Sequence, residues 1–415
     1  KELWGIDFFW IAAIGLVVLT ALYTIFGGMK SVLYTSVLQT PILLLGSLII
    51  LVLGFKELGG WDEMMRVCGA VTVNDYGDTM TNLIRSNDDA NFPWLGALIG
   101  SAIIGFWYWC TDQFIVQRVL SGKNEMEARR GTIFGAYLKL LPVFLFLIPG
   151  MIAFALHQKY IGAGGEGFLP MLANGTANAD AAFPTLVAKL LPAGVKGLVV
   201  CGILAALMSS LASLFNSSAM LFTIDFYKRF RPETPEKKLV GIGQVATVVI
   251  VILGILWIPI MRSVGDVLYT YLQDVQSVLA PGIAAAFLLG ICWKRTSAQG
   301  GMWGLIAGMV IGLTRLGAKV YYSNAGEVAD STFKYLFYDM NWLFFCGWMF
   351  LFCIIVVIVV SLATKAPTAE KIQGLVFGTA TKEQKAATRA SWNHWDIIHT
   401  VIILAITGAF YWYFW

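Results

Sequence analysis

Ten stretches of roughly twenty residues, apolar and almost free of charge, recur along this chain of 415 residues. An α-helix rises about 1.5 Å per residue, so about 20 residues cross a hydrocarbon core about 30 Å thick. Inside that core every backbone N–H and C=O needs a partner within the protein, and a helix supplies them all from its own backbone. The stretches fall near 7–27, 36–55, 94–118, 131–156, 194–226, 239–261, 264–292, 300–320, 341–363 and 395–415. They predict an all-α polytopic membrane protein. Only 13% of the residues are charged and 58% are hydrophobic, whereas a soluble protein carries about 25% charge. A length that suggests two or three soluble domains therefore reads as one membrane domain.

Loops after the odd-numbered stretches hold most of the 29 Lys and Arg, among them Lys30, Arg129, Arg130, Lys237, Lys294 and Lys382. Such loops stay on the inner side, so both chain ends are expected outside. All other basic residues except Lys139 are assigned to the outer side, where acids such as Asp78 and Asp89 offset them. The net charge of +4 is spread over short loops and points to no nucleic acid. The six cysteines form neither a disulfide framework nor a CxxC metal site. The chain starts at Lys1 rather than Met, and its front is expected to be missing.

Within the third stretch the apolar run stops at Trp107-Tyr108-Trp109-Cys110-Thr111-Asp112-Gln113 and resumes at Phe114. Thr, Asp and Gln in a spanning helix face protein or a water-filled cavity. Interrupted helices are how many secondary transporters build their sites. Counting from the helix starts puts Tyr108 about 20 Å deep, Lys139 about 12 Å, Ser209 and Ser210 about 20–24 Å, and Gln273 and Asp274 about 12–14 Å. Four segments thus bring polar groups towards the middle of the bilayer.

A lysine at a helix centre costs about 2.5–3.5 kcal/mol to insert. Lys139 is either a structural lysine bonding carbonyls or Asp112, or a donor of three N–H groups to a hydroxylated ligand. Tyr108 and Trp109 are either core packing or an aromatic face for a sugar ring. Gln273, with Tyr269 one turn earlier on the same face, offers both donors and acceptors; helix–helix bonding is its plainer reading. Ala206, Ser209 and Ser210 follow i, i+3, i+4 spacing, and Ser213, Asn216 and Ser217 extend the stripe. Small residues pack helices closely, and hydroxyl and carbonyl oxygens also suit a hard cation such as sodium. Asp112 and Asp274 keep proton coupling open.

The chain resembles the sodium/solute symporter family, and within it the sodium/glucose branch. The resemblance rests on Ala21-Leu22-Tyr23-Thr24-Ile25-Phe26-Gly27-Gly28-Met29-Lys30-Ser31, on Ala136-Tyr137-Leu138-Lys139-Leu140-Leu141-Pro142, on Ala206 to Ser218, and above all on the Trp107–Gln113 stretch. It implies a leucine-transporter-like five-plus-five inverted repeat with extra helices. By that resemblance residues 1–93 close the first repeat, 94–292 form the second, and 293–415 add three helices. It also implies sugar contacts from Tyr108, Trp109, Lys139, Tyr269 and Gln273, and sodium ligands from Ala206, Ser209 and Ser210. The implied activity is symport of sodium with galactose or glucose across a cell membrane, plasma or inner, with sodium as coupling ion and no organic cofactor. No bond is made or broken, so no enzyme is implied. The alternatives are another solute such as myo-inositol, or a sugar sensor or channel without coupled transport. Where relatives often carry Asp after Tyr34-Thr35, this chain has Ser36, which points to one sodium per sugar.

Overall fold

A computed structural model of the protein describes the backbone of residues 2–3, 6–172, 175–262, 268–324 and 329–414. Side chains are described for the same residues except 2–3, 6–9, 26–32, 35, 38, 259–262, 268–271 and 323–324. The helices, in order, are α1 (Phe8–Leu58), α2 (Trp61–Gly69), α3 (Trp94–Cys110), α4 (Gln113–Leu120), α5 (Glu125–Pro142), α6 (Ile148–Gly162), α7 (Ala182–Leu190), α8 (Ala193–Met220), α9 (Lys228–Phe230), α10 (Glu236–Arg262), α11 (Leu268–Cys292), α12 (Ala298–Asn324), α13 (Thr332–Lys334), α14 (Trp342–Ala363), α15 (Ala369–Ile372), α16 (Lys382–Ala390) and α17 (His394–Tyr413). Two-residue strands, Glu2–Leu3 and Ile6–Asp7, pair antiparallel at the start.

Among the described residues eight helical stretches are long and apolar enough to cross a bilayer, and the bent pair α3–α4 makes a ninth. The protein is an integral, multi-pass membrane protein. The expected spans recur with shifts of a few residues at most ends, and the first differs in kind. The loop expected around Lys30 is helical backbone, and the first two stretches join in the single 51-residue α1. At about 1.5 Å per residue this is about 76 Å, more than twice the hydrocarbon thickness. Among the described residues it carries two apolar runs, Trp10–Ile25 and Gln39–Leu58.

Packing groups the chain into two compact units, residues 1–70 with 138–267 and residues 71–137 with 268–415. In the first unit α1 lies antiparallel along α8. Glycines let the two backbones approach: a Cβ on Gly46 would sit 2.6 Å from Val199, and one on Gly202 3.1 Å from Ile42. Ala21, Phe215 and Val251 bring α1, α8 and α10 to one apolar core. The Tyr23 hydroxyl donates to the Met208 carbonyl at 2.7 Å, and Ser36 Oγ meets Ser209 Oγ at 2.5 Å. In a straight helix residues 23 and 36 stand about 20 Å apart. Their contacts fall on consecutive residues of α8, so α1 bends between its two apolar runs.

In the second unit α11, α12 and α14 pack against one another, and α3 packs on α11 and α14. Ile103, Ile104, Ala280, Ala284 and Cys346 form one core, and Val278, Ala285, Phe345, Met349 and Cys353 another. Gly282 and Gly308 bring α11 and α12 almost into backbone contact, and Gly304 and Gly300 do the same for α12 against Val357 and Ser361 of α14. α17 buries only 6% of its apolar window, which suits a helix facing lipid. The loop between α2 and α3 is ordered by side chains. Asp89 accepts from the N–H groups of Asn91 (2.9 Å) and Phe92 (2.7 Å), and Asn74 donates to both Asp78 (2.7 Å) and Asp89 (3.1 Å). The polar stretch between α14 and α17 contains α16, opened by a capping box between Thr381 and Gln384.

Candidate functional site

The interruption in the third span has a local cause. The Trp107 carbonyl accepts from the N–H groups of Thr111 (3.0 Å) and Asp112 (3.1 Å) and from the Thr111 hydroxyl (2.7 Å), which closes α3. Asp112 turns extended and caps α4, its carboxylate accepting from Phe114 N–H at 3.1 Å. Such a cap satisfies a helix N-terminus and complements its dipole. The chain resumes at an angle of 48°. The polar residues that looked costly in a membrane helix are therefore the groups that stop one helix and start the next.

Tyr108 sits half-buried on the last turn of α3, edge-on to Trp109 with ring centres 5.3 Å apart and tilted against Trp107 at 6.1 Å. Trp109 is 50% exposed, so it is no core residue. Arg118 crosses the Phe114 ring at 5.3 Å, one turn into α4. Gln273 is half-buried on α11, eight residues ahead of Pro281. Tyr269 belongs to α11, but its side chain lies outside those described. Asp274, kept open above as a proton carrier, faces two basic groups instead, Lys319 and Arg315 of α12.

The remaining expected residues lie in the first unit. Lys139 is exposed on α5, just ahead of a π-turn at Val143–Leu147. Pro142 precedes that turn and has no N–H to give, which accounts for the change of pitch. On α8 the serine stripe splits by depth. Ser209, Ser213 and Ser217 are buried, Ala206 is half-buried, and Ser210 is exposed. Ser213 donates back to the Ser209 carbonyl at 3.0 Å and Ser217 to the Ser213 carbonyl at 2.5 Å. Those two hydroxyls satisfy their own helix. Ser209 instead points across to Ser36, so one hydroxyl from α1 and one from α8 converge next to the carbonyl that Tyr23 engages. Among the described residues no group of three or more His, Cys, Asp or Glu is placed to hold a metal ion. Hydroxyl and carbonyl oxygens are what this region offers a cation.

The sequence reading missed Ser36, Tyr23, Arg315 and Lys319. At position 36 the sequence shows only a departure from relatives. Arg315 carried a signal, because an arginine within an apolar stretch is by default a residue with a task. An open groove of about 630 Å³ lies between α5 and α17, lined by Leu120, Arg129, Ile133, Trp392, Asp396 and Ile397 among others, and none of the expected substrate residues lines it.

The family model described as the sodium:solute symporter family matches residues 1–308. A sodium/mannose cotransporter of Bos taurus is 35% identical over 98% of this chain and 72% of its own length. Sodium/glucose cotransporter 1 of Ovis aries is 38% identical over 87% of this chain and 57% of its own length. Sodium/myo-inositol cotransporter 2 of Homo sapiens is 35% identical over 89% of this chain and 56% of its own length. The chain thus spans between about half and three quarters of the length of these relatives. A solved Na⁺-coupled sialic acid symporter, substrate-bound and outward-open, superposes with a TM-score of 0.66 at 21% identity, over 88% of this chain and 69% of its own. That likeness gives the leucine-transporter-like fold, while family membership rests on the sequence matches: the chain belongs to the sodium:solute symporter family.

Proposed function

We propose that this chain belongs to a secondary active symporter that couples inward sodium movement to uptake of a hexose of the galactose or glucose type. The observation that carries the reading is the broken span α3–α4. It sets a half-buried tyrosine against an exposed tryptophan where Thr111 and Asp112 stop the helix. An aromatic pair of this kind offers a flat apolar face to a pyranose ring. Lys139 donates to hydroxyls, and Gln273 both donates and accepts. Trp109 and Tyr269 complete the proposed sugar contacts. Sodium is assigned to Ala206, Ser209 and Ser210, oxygen ligands of the kind a hard cation prefers.

Sodium bound from outside stabilises the form that takes the sugar, and by linkage the sugar raises sodium affinity by the same factor. The broken helices then rock, in the manner of alternating access, and both solutes leave inward. Residues 94–292 are assigned as the second inverted repeat, 1–93 as the close of the first, and 293–415 as three added helices.

A second reading keeps the mechanism and changes the solute to myo-inositol, and the identity to sodium/myo-inositol cotransporters favours it. Radiolabelled galactose and glucose uptake into proteoliposomes under an inward sodium gradient tests the proposal. Sodium-dependent accumulation supports it. Uptake that ignores sodium overturns the coupling ion, and myo-inositol outcompeting both hexoses moves the solute to the second reading.

A further inference from the structure

Asp274 stands beside Gln273 but faces a different neighbour. Its carboxylate meets Lys319 Nζ at 2.5 Å and Arg315 Nη2 at 3.7 Å, both on α12. The Arg315 side chain is 1% exposed. Its guanidinium also donates to the Met340 carbonyl at 2.8 Å and to the Leu336 carbonyl at 3.5 Å, and lies 4.0 Å from the centre of the Phe345 ring. One carboxylate, two cations, two carbonyls and an aromatic face thus join α11 to α12, to the turn before α14 and to α14 itself. Loss of Asp274 would leave the buried Arg315 guanidinium without its carboxylate, and loss of either cation removes one of the two ties that hold the carboxylate to α12.

The same two helices are fastened again further along. A Cβ on Gly308 would lie 2.9 Å from Gly282 Cα, and one on Gly312 2.4 Å from the Val278 carbonyl. Between the charge cluster and the Gly282–Gly308 contact stands Pro281, inside α11. It has no N–H to donate to the preceding turn, and there the helix is freest to bend. The segment ahead of Pro281 carries Gln273.

We propose that Asp274, Lys319 and Arg315 lock the first half of α11 to α12, so that the two helices carry Gln273 as one body and hold its amide at a fixed place for a hydroxylated solute. The inference rests on the symporter reading for the role of Gln273. Lys319 and Arg315 are positioning residues: they act on Gln273 through α11. Lys319 is a third exposed, which makes it the member to replace.

The test is sodium-driven sugar uptake by full-length Lys319→Ala and Lys319→Met in proteoliposomes, with Lys319→Arg as the conservative variant. The Met variant keeps the aliphatic stem should the Ala variant fail to fold. Misplacing a positioned group costs affinity steeply, so sugar KM is expected to rise about tenfold with kcat and the sodium dependence little changed. Lys319→Arg is expected to restore KM to within about twofold. Hydrogen exchange of residues 272–280 in the purified proteins gives a readout that needs no substrate, and it is expected to quicken in Lys319→Ala and not in Lys319→Arg. Unchanged KM, or unchanged exchange in that segment, overturns the lock. Absence of sodium-driven sugar uptake by the wild type overturns the symporter reading instead, and the exchange result still decides the lock.

Discussion

Lys139 opposes two free energies, and replacing it separates them. A lysine near a helix centre costs about 2.5–3.5 kcal/mol on insertion scales, so Lys139→Ala relieves that cost. The variant is expected to insert and melt at least as well as the wild type, while its sugar uptake falls more than about tenfold. Parallel measurement of melting temperature and initial uptake rate checks this. A variant that loses stability and uptake together would make Lys139 a structural lysine. Outside the membrane the carboxylates of the α2–α3 loop make a prediction of another kind. Asp78 is held below the usual carboxylate range by the Asn74 side chain and the Ser86 N–H. Burial alone would raise Asp89, yet the N–H groups of Phe92 and Asn91, the Asn74 amide and Arg85 bring it below that range as well. A carboxylate lowered in the folded state stabilises it above the unfolded value near 3.9, and that stability is lost as pH falls through the folded value. The melting temperature is therefore expected to be level in pH above about 5 as far as this loop decides it, and to fall below about 4. Asp89→Ala removes the acceptor of two partly buried N–H groups, those of Asn91 and Phe92, and is expected to cost about 1–3 kcal/mol at neutral pH. The contact between Ser36 and Ser209 was not legible in the sequence: 173 residues separate them, and neither hydroxyl names its partner.

At the scale of helices the interrupted third span was the most legible element, because its residues act locally. Thr111 competes for the carbonyl one turn back and Asp112 caps the next helix, and both effects depend on spacing within a few residues. The joining of the first two apolar runs was harder to read. Gly27 and Gly28 suggest a turn and Lys30 an inner loop, yet nothing in residues 26–38 forbids helix, and α1 accommodates the boundary by bending. The cluster of Asp274, Arg315 and Lys319 escaped for a different reason. Arg315 and Lys319 fall inside the expected stretch 300–320, but their pairing depends on which helix α12 packs against. That packing is itself a prediction. Gly308 faces the Gly282 backbone with no room for a side chain, so Gly308→Ala is expected to cost about 1–3 kcal/mol by overpacking. Gly290, on the same α11, has nothing within 4 Å of where its Cβ would be. Gly290→Ala is expected to be neutral or to stabilise by up to about 1 kcal/mol through helix propensity alone. Thermal unfolding of the two variants in detergent separates a close helix contact from a general intolerance of glycine replacement.

For the whole molecule the question is how much work the sodium gradient can do, and the answer turns on stoichiometry. One sodium ion crossing 100 mV supplies about 2.3 kcal/mol, and a tenfold sodium gradient about 1.4 more. Together these sustain roughly 500-fold accumulation of a neutral solute, since each 1.4 kcal/mol is a factor of ten. Two sodium ions would square that ratio, to about 250,000-fold. A second cation bound close to the first needs negative charge nearby to offset their repulsion. Position 36 provides a neutral hydroxyl, and it is turned towards Ser209. The hydroxyl pair between α1 and α8 therefore suits one cation better than two. Steady-state accumulation of labelled sugar in vesicles clamped at 100 mV with a tenfold sodium gradient is expected to level off near the lower figure. Ser36→Asp is the informative variant, because it adds the missing charge at one point without disturbing the rest of α1. If the sodium dependence of its uptake steepens and accumulation climbs past the one-ion limit, position 36 sets the number of ions. A wild type that itself exceeds about 500-fold would mean that a second sodium ion finds its charge elsewhere in the molecule.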